Sequence, residues 1–571
     1  MWSALRVSSS ARASQPSLKV PKENNRFLCR PAALESSRLL ESNHAILSQQ
    51  SLPPWFGQLR RLGREQALFA AQRYISNYAP SLAQTILNLD SNSLRLVLGG
   101  HQPELFHPGV WFKNFLLSEI GTRTNSIGMQ VIVDHDVAKS DTLRVPSCMK
   151  SAVGGCEAFA LRSIPLPIRE ESQPRMPWHA TLTAQLDPAA WDKTIANINK
   201  SMSLCGLEQP LLLSRKKMLA QCIANTQNIG DAFSHFRHLI EMENGVRNLE
   251  VPIGHLCADS AFGYFVHHCA RDADALWSSY NGCRNAYRMR HKIRNQAQPV
   301  LELLRHGDWY ELPFWIYQER QVTVERKRLW VCNRNNQLHL SDHFDSARAT
   351  VSVTLPWLEQ DLPNVWQAIR QNGICIRPRA LMTTLYLRCF VADLFVHGIG
   401  GGTYDELTDD IMRDWIGLEP PVYLTSSASL HMPFSSDDDL HQLDPTSSLA
   451  LVQRELQLMR SVPERFLQPS IESHRSLMAS HASQIAAIPK RGDKLKWHRE
   501  TASVKQQIEA SIEPRKQAAL SKLAAIERTL QQNKIRKSRE YSFVLFEEAD
   551  VVGRLARLAK AAFSYDAEAG K

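Results

Sequence analysis

The chain has 571 residues, of which 43% are hydrophobic and 22% charged, and it carries a formal net charge of +10. This length is too great for one hydrophobic core, so two or three structural units are expected, and the composition excludes a disulfide-stapled mini-domain and a globally disordered chain. The 11 cysteines form no C-x-x-C pair, which favours free thiols and a cytoplasmic location.

The N-terminal residues 1–48 are predicted to be a disordered tail. The first 22 residues contain four basic residues, many serines and no acid, a pattern that resembles a transit peptide but lacks the apolar region of a secretory signal. The most apolar stretch, residues 381–402, contains Arg388, Asp393 and His397, which are costly in a bilayer. No transmembrane helix is predicted.

Residues 49–443 are predicted to form an α/β core. Its first elements are helical residues 51–89, a strand at 94–98, a helix at 110–120 and a strand at 130–133. Two strands flanking a helix form a βαβ unit, which favours a parallel sheet with its site at the carboxyl ends of the strands.

The rest of the core is predicted from shorter patterns. A mixed insertion is expected around residues 150–250, and the sheet is expected to resume after it. The later elements are a helix at 257–279, strands at 311–317 and 328–332, a glycine-rich loop at 397–402, a helix at 404–415 and a strand at 420–424. Pro313 suggests that the strand at 311–317 lies at a sheet edge.

Residues 444–571 are predicted to be an α-helical coiled-coil region that mediates homodimerisation. An approximate apolar seam runs along this region through Val504, Ile508, Ile512, Leu520, Leu523, Ile526 and Leu530. Pro514 interrupts the seam and predicts a kinked or two-part helix.

The basic residues are concentrated in this C-terminal region. Residues 490–540 contain 14 Lys or Arg against 6 Asp or Glu. Such a segment could bind nucleic acid, but the chain has few aromatic residues there and no zinc-finger, RRM or KH signature, so a solvated helical face is favoured.

The loop at residues 99–109 is the leading candidate site. Glycines after a strand let backbone N–H groups approach a ligand, and the following helix N-terminus favours an anion. Its histidines could neutralise a phosphate or act as a general acid, or they could simply hydrogen-bond the turn. The candidate residues are Gly99, Gly100, His101, Gln102, His107 and Gly109.

Two further segments are candidates for the same crevice. After the strand at 130–133, Asp134, His135 and Asp136 could orient an amine, or a carboxylate could cap the next helix. The glycine-rich segment could form a backbone nest for anions, or its glycines could serve close helix packing. Its candidate residues are His397, Gly398, Gly400, Gly401 and Tyr404.

No metal site is predicted. Several side chains of metal-ligating type lie between residues 255 and 269, but their spacing scatters them around a helix. They are His255, Cys257, Asp259, His267, His268 and Cys269.

Residues 97–109 (Val-Leu-Gly-Gly-His-Gln-Pro-Glu-Leu-Phe-His-Pro-Gly) are similar to the strand and Gly-Gln-Gln loop of the cysteine-adding enzyme family of bacillithiol biosynthesis, the BshC family. Residues 134–136, 397–404 and 421–430 resemble other motifs of this family in the same order. The resemblance implies a Rossmann-like, nucleotidyltransferase-like core, a coiled-coil dimer, ATP or ADP as a possible cofactor, and ligation of cysteine to a glucosaminyl-malate acceptor through an amide bond.

This chain departs from the family pattern inside the loop. His101 replaces the first glutamine, Glu104 stands where glycine is usual, and the lysine of the following helix, Lys113, has a different offset. The departures are compatible with the fold and leave the substrate open, so that a diverged paralogue could act on a different amine and acid.

Amide formation needs an activated carboxylate, a neutral amine and a stabilised oxyanion. On this hypothesis His101 and Gln102 hold the activated group, Asp134 or Asp136 orients the amine, and residues 397–402 bind the acceptor or nucleotide. Two alternatives are a nucleotidyl or acyl transferase resembling the WbqC-like proteins, which share a His-Gln-Pro loop, and a non-enzymatic dimeric binding protein.

Overall fold

The computed structural model describes residues 18–86, 94–138, 141–150, 156–169, 174–295, 300–319, 324–434, 445–466, 472–487 and 495–564. The strands are β1 (Arg26–Arg30), β2 (Leu96–His101), β3 (Ile127–Ile132), β4 (Thr142–Lys150), β5 (Cys156–Pro165), β6 (Leu249–Pro252), β7 (Arg305–His306), β8 (Trp309–Gln318), β9 (Lys327–Arg334), β10 (Gln337–Ser341), β11 (Ser352–Pro356), β12 (Ile374–Pro378), β13 (Leu394–His397) and β14 (Tyr423–Ser429). The helices are α1 (Ser36–Leu47), α2 (Pro54–Ser76), α3 (Pro80–Gln84), α4 (Pro108–Thr124), α5 (Pro188–Ser203), α6 (Leu211–Ser214), α7 (Lys216–Asn225), α8 (Ile229–Glu243), α9 (Ile253–Leu256), α10 (Ser260–Arg271), α11 (Ala273–Arg290), α12 (Leu362–Gln371), α13 (Ala380–Phe390), α14 (Ile399–Ile411), α15 (Pro445–Ser461), α16 (Glu472–Ala487), α17 (Leu495–Arg536) and α18 (Glu548–Ala561).

The larger sheet has six strands in the order β1, β14, β13, β2, β3, β6. The last five of these are mutually parallel, whereas β1 is antiparallel to β14. The prediction of an α/β protein with a parallel βαβ unit at β2, α4 and β3 is therefore confirmed. From β2 the chain adds β3 and β6 on one side and then β13 and β14 on the other, so the strand order reverses between β2 and β13.

Both faces of this sheet are covered. The central strands β2 and β13 begin with three consecutive apolar residues, Leu96–Leu98 and Leu394–Val396, as expected for parallel strands that are buried on both sides. Leu96 and Leu98 of β2 join a hydrophobic cluster with α2, α10 and α13, and Val97 joins a second cluster with α4, α8 and α18. The period-two alternation of a strand thus divides the core into two layers.

A buried ion cluster fixes β13 next to β2. Asp393, which is 1% exposed, accepts hydrogen bonds from Arg60 at 2.7 Å, from Arg64 at 2.8 Å and from the backbone N–H of Leu96 at 2.8 Å. The backbone N–H of Asp393 in turn donates to the Leu96 carbonyl at 2.8 Å. The two arginines on α2 therefore set the position of both strands that meet where the order reverses.

We expect Asp393→Asn to lower the free energy of unfolding by about 3–5 kcal/mol, because it leaves two buried guanidinium groups without a counter-charge. Urea denaturation followed by circular dichroism measures the change. Asp192→Asn, at an exposed position of α5, is the control and should change stability by less than about 0.5 kcal/mol. Equal midpoints for the two variants would contradict this role of Asp393.

The predicted continuation of the parallel sheet through residues 311–332 is wrong. Strands β8 and β9 belong to a second, antiparallel sheet in the order β11, β10, β9, β8, β12. The connections from β8 to β11 are short, and a parallel pair would need a longer crossover. β8 also lies inside this sheet rather than at its edge, and Pro313 is tolerated because the β8–β9 register shifts between Leu312 and Trp315.

The insertion between β3 and β6 contains the β4–β5 hairpin and helices α5 to α8. Cys148 in this hairpin forms a disulfide bond, so the expectation of free thiols is wrong for Cys148, whereas nine other cysteines are free. After the insertion, the single helix predicted at residues 257–279 is two helices, α10 and α11, which are separated at Asp272.

The predicted disordered tail is wrong for residues 26–47. β1 pairs with β14 along five residues, and α1 follows it, with Asn43 donating to the carbonyls of Asp393 and Val422. Residues 1–17 lie outside the described part of the chain. An antiparallel edge strand of mixed polarity gives little sequence signal, because its burial pattern is mostly intermediate.

The C-terminal region is helical, as predicted, but its end belongs to the core. α17 is one continuous helix of 42 residues with Pro514 inside it, so the two-part alternative is not found. Part of its seam, namely Ile512, Leu520, Leu523 and Ile526, packs with α15 in the same chain. The side chains of Val504 and Ile508 lie outside the described set. Residues 541–546 then return to the cluster around α4.

No helix in the described ranges combines the length and the apolar character that crossing a bilayer requires.

Candidate functional site

The reversal of strand order brings two predicted segments together. β2 ends at His101 and β13 ends at His397, and the two strands pair in parallel with Val396 opposite Gly99. Helices α4 and α14 begin just beyond these strand ends. Ligands of open α/β sheets bind in the crevice at this position. The crevice between β2 and β13 is called the switch crevice below.

His101 is held at the edge of this crevice by contacts on both ring nitrogens. Nδ1 lies 2.9 Å from the carbonyl oxygen of Gln102, and Nε2 lies 3.3 Å from Oδ1 of Asn114. Both partners are acceptors, so a neutral ring can donate to only one of them at a time. Burial, with the nearby charges of Arg237 and Lys113, nevertheless holds the pKa of His101 well below its usual range. The ring is therefore a neutral donor at pH 7.

His107 caps helix α4. Its Nδ1 accepts a hydrogen bond from the backbone N–H of Gly109 at 3.1 Å. Burial and the charges of Arg539 and Lys113 lower the pKa of His107 to about 3, so Nδ1 keeps the lone pair that the cap needs. His107 therefore hydrogen-bonds the turn before α4, which is the alternative to a ligand-binding role given above.

Gly109 lies where α4 approaches β14. A Cβ atom at this position would stand 2.3 Å from the Ala428 carbonyl oxygen and 2.6 Å from Nη2 of Arg539. Only glycine fits without a backbone shift. By contrast, Gly100 has ordinary contact distances of 3.4 Å or more around the same point.

We expect Gly109→Ala to lower the free energy of unfolding by about 1–3 kcal/mol, the usual cost of overpacking against fixed backbone. The matched control is Gly57→Ala in α2, where a Cβ meets nothing within 4 Å; it should raise stability by up to about 1 kcal/mol because alanine is the better helix former. Thermal or urea unfolding compares them. An unchanged stability of Gly109→Ala would show that α4 can move away from β14.

Lys113 is a site residue that is absent from the candidate residues predicted from the sequence. Its side chain is 4% exposed, and Nζ donates to the carbonyl oxygen of Gly100 at 2.9 Å. Burial lowers the pKa of Lys113 to about 8. No ion pair to Lys113 occurs among the described residues. A buried ammonium group at the end of β2 is therefore held with one neutral partner.

Arg539 is a second site residue that the sequence did not indicate. It follows α17, more than 400 positions from the loop, and its Nη2 donates to Ser427 Oγ at 3.1 Å and lies 3.5 Å from His107 Nδ1. Nη1 is buried and has no hydrogen-bond partner in the described part of the chain. Burial lowers the pKa of Arg539. Nε of Arg539 lies 3.4 Å from Oε1 of Glu540, so this guanidinium has one acidic neighbour. The N-terminus of α4 thus lies near one ammonium group without an ion pair in the described part of the chain and one guanidinium group whose Nη1 lacks a hydrogen-bond partner there.

His397 is paired with a carboxylate. Nε2 lies 2.8 Å from Oδ2 of Asp405, and the same oxygen accepts from Arg388 at 2.6 Å. Although burial by itself raises it, Arg388 and His397 hold the pKa of Asp405 well below its usual range. The ionised carboxylate fixes the proton of His397 on Nε2, which leaves the lone pair on Nδ1. Such a pair can accept a proton from a substrate.

The predicted glycine-rich loop is wrong in its conformation. α14 begins at Ile399, so Gly400 and Gly401 lie in its first turn, and Gly398 is the N-cap without a side-chain cap bond. A Cβ at Gly398 or Gly400 would meet nothing within 4 Å, whereas one at Gly402 would stand 2.4 Å from Thr425 Oγ1. The close-packing alternative thus applies to Gly402 and also to Gly401, where a Cβ would stand 2.9 Å from Nδ1 of His397, whereas Gly398 and Gly400 leave the helix N-terminus open.

Tyr404 does not join the switch crevice. It is 45% exposed in the second turn of α14.

The remaining predicted residues form a second group after β3. Gln102 donates to Asp136 Oδ2 at 2.8 Å, and Arg326 donates to Asp136 Oδ1 at 3.1 Å and to the His135 carbonyl at 3.0 Å. Asp134 Oδ1 accepts from the Gly254 N–H at 3.0 Å, which caps α9. Gln102 and Asp136 are therefore neighbours as expected, while Asp134 has the capping role stated as its alternative.

A surface cavity lies beside the β4–β5 hairpin, away from both groups. Its lining residues include Asp141, Arg169, Arg175 and Leu182. None of the predicted site residues lines it, and Asp141 is already paired with both arginines at 2.5 and 3.3 Å. The polar groups of this cavity are therefore satisfied within the chain.

Comparison with known proteins adds no family. No family model matches the chain, and no curated protein matches it. What the fold and the site define is an α/β protein whose mixed sheet contains parallel strands, with a cationic crevice where their order reverses.

Proposed function

We propose that the chain is an enzyme that binds an anionic, phosphorylated or carboxylate ligand in the switch crevice and transfers its activated group to an amine. The single observation that carries the proposal is Lys113, a buried ammonium group with one carbonyl partner at the carboxyl end of β2. An unpaired buried cation is costly, and an anionic ligand would supply the missing counter-charge.

Three further features support an anionic ligand. The parallel strands have the order 3-2-1-4-5 of doubly wound nucleotide-binding sheets when numbered from β2. The N-terminus of α14 is open, and the positive end of the helix dipole there favours a negatively charged ligand. Arg539 has an unpaired Nη1 at the N-terminus of α4. These features favour a Rossmann-like nucleotide site, with ATP or ADP as the first ligands to test.

The His397–Asp405 pair supports transfer to an amine. When the amine nitrogen attacks the activated acyl carbon, a C–N bond forms and the bond from this carbon to its leaving oxygen breaks. The amine loses a proton, which Nδ1 of His397 accepts while Asp405 stabilises the imidazolium. Lys113 neutralises the departing anion. His101 remains a donor at the edge of the crevice.

The substrate class rests on the sequence resemblance to the cysteine-adding family, so we propose a carbon–nitrogen ligase that joins a cysteine-like amino acid to an amino-sugar acceptor. Transfer of the WbqC-like kind is the alternative that uses the same crevice. The homodimer formed through the C-terminal helical region, residues 444–571, stays a prediction, and so does the cytoplasmic location. A non-enzymatic protein that uses its basic helices would bind heparin but would not need Lys113 or His397.

The test is a thermal-shift screen of the full chain against ATP, ADP, cysteine and a glucosaminyl-malate acceptor, singly and together. A ligand at 100 times its dissociation constant adds about 2.7 kcal/mol of stability. Arg539→Gln should raise the dissociation constant for the nucleotide about tenfold or more, because a charge-assisted contact is worth about 1.5–3 kcal/mol. The thermal shift at a fixed nucleotide concentration should fall accordingly. Arg557→Gln, at an exposed position of α18, is the control.

His397→Gln separates binding from chemistry. It should leave the thermal shifts in place and lower the rate of coupled-product formation about 10²- to 10⁴-fold, as loss of a general base does. Mass spectrometry of the acceptor detects the product, and an adenylated or phosphorylated acceptor would favour the WbqC-like alternative. Strong heparin binding with no shift from any small ligand would contradict the enzyme proposal.

A further inference from the structure

The clearest cluster outside the switch crevice lies between α10 and the segment that follows β11. It consists of His267 and His268 on α10 and Glu359, which precedes α12. One ligand-type atom of each residue lies within 4.8 Å of the other two. The sequence predicted no site here because adjacent positions of a helix diverge, and Glu359 is about 90 residues away.

His267 is oriented as a metal-binding histidine is. Its Nε2 lies 2.9 Å from the Pro356 carbonyl oxygen, so the ring proton is on Nε2 and the lone pair is on Nδ1. The side chain is fully buried, and Nδ1 has no hydrogen-bond partner in the described part of the chain. In a histidine that binds a metal through one ring nitrogen, the other ring nitrogen usually donates a hydrogen bond to a carbonyl or carboxylate oxygen, as Nε2 of His267 does here.

The other two side chains approach that lone pair. Oε1 of Glu359 lies 3.9 Å from Nδ1 of His267 and 3.7 Å from Nε2 of His268. Bonds of about 2.0–2.1 Å in a tetrahedral site separate ligand atoms by about 3.3 Å, so Oε1 of Glu359 would move about 0.5 Å closer to each ring. The two ring nitrogens, which lie within 4.8 Å of each other, would also approach. The His268 ring is stacked on Trp55 at 4.3 Å, which limits its rotation.

We propose that His267, His268 and Glu359 bind one divalent transition-metal ion, with zinc as the best match to two imidazoles and one carboxylate. The fourth position is open to water. Because His267 and His268 belong to α10 and Glu359 follows β11, the ion would link α10 to the end of the antiparallel sheet.

Arg271 is the residue that competes with the ion. Its Nη1 lies 3.5 Å from Glu359 Oε1, but the side chain is 37% exposed and stacks over Trp357, so it can withdraw. A second cluster shows the contrast. His238, Glu241 and Glu250 also converge, yet buried Arg237 donates to both carboxylates at 2.7 and 2.5 Å and takes the place of a cation.

The experiment is a titration of the chelator-treated full chain with Zn²⁺ and Co²⁺ by calorimetry, with the visible spectrum of Co²⁺ as a report on coordination. We expect one tightly bound ion per chain, a tetrahedral Co²⁺ spectrum and a raised melting temperature. Glu359→Gln keeps the side-chain shape and should weaken binding more than roughly 100-fold, since even second-contact changes cost 10–100-fold. Arg271→Gln should tighten binding about two- to fivefold, the worth of a partly exposed ion pair.

His498→Ala, at an exposed position of α17, is the control and should bind zinc as the wild type does. The proposal is overturned if the wild type takes up no ion, or if uptake persists unchanged in Glu359→Gln. Uptake that survives Glu359→Gln but disappears in Glu250→Gln would assign the ion to the second cluster. The nucleotide response of the switch crevice is a separate readout.

Discussion

Lys113→Met is expected to stabilise the protein while weakening its binding of anionic ligands about 10- to 100-fold. Burial lowers the pKa of Lys113 from 10.5 to about 8, which corresponds to a penalty of about 3 kcal/mol on the charged form. Methionine removes that penalty, and the lost hydrogen bond to the Gly100 carbonyl costs about 1 kcal/mol. The free energy of unfolding should therefore rise by about 1–2 kcal/mol at pH 7.

The same substitution removes the only buried ammonium group of the switch crevice among the described residues. Loss of a charge-assisted contact worth about 1.5–3 kcal/mol raises the dissociation constant about 10- to 100-fold. Lys193→Met, at an exposed position of α5, should change neither quantity. Wild-type binding should also weaken as the pH rises through about 8, because the ammonium group loses its proton. A stabilised variant with wild-type affinity would show that the anion does not contact Lys113.

The second large effect is acid destabilisation between pH 7 and pH 5. Burial lowers the pKa of His107 to about 3, of His135 to about 4 and of His235 to about 3. In the unfolded chain these groups titrate near 6.5, so below that pH the unfolded state binds more protons than the folded state. Stability is therefore full above about pH 6.5 and is lost as the pH falls toward 4.

At pH 5 each of the three histidines lowers the free energy of unfolding by about 2 kcal/mol. The summed loss is comparable with the stability of a typical protein, about 5–15 kcal/mol. His235→Phe isolates one contribution, because the ring stacks on Tyr78 at 3.8 Å and Nε2 has no partner in the described part of the chain. This variant should lose about 2 kcal/mol less than the wild type between pH 7 and pH 5. Urea unfolding at both pH values measures it, with His498→Phe as the control. Equal stabilities of the wild type at the two pH values would contradict the buried, neutral state of these histidines.

The two proposals use different residues and can fail separately. The switch crevice depends on Lys113, Arg539 and His397, whereas the metal site depends on His267, His268 and Glu359. Zinc uptake by a protein that shows no thermal shift with any nucleotide would support the metal site alone. A nucleotide response without metal uptake would support the first alone.

The local elements near the site could be predicted from the sequence because their signals are local. The run Leu94–Leu98 before two glycines indicates a buried strand, and Pro108 marks the start of α4, so β2 and α4 are found within a few residues of the predicted positions. The loop with His101, Gln102, His107 and Gly109 also follows from this pattern. The conformation of residues 399–402 did not, because glycines predict a loop until a neighbour such as Thr425 requires their small size.

The sequence by itself determined the α/β class, the parallel βαβ unit and the segments that end at the crevice, since apolar periodicity and glycine placement act over a few residues. Only the tertiary structure decided which charges meet there. Lys113 is an ordinary helical lysine until the fold buries it beside Gly100 of β2, and Arg539 comes from the far end of the chain. At the proposed metal site, Glu359 approaches His267 although about 90 residues separate them in the sequence. Burial and long-range contact set the charge state of these groups, and neither is encoded in local spacing.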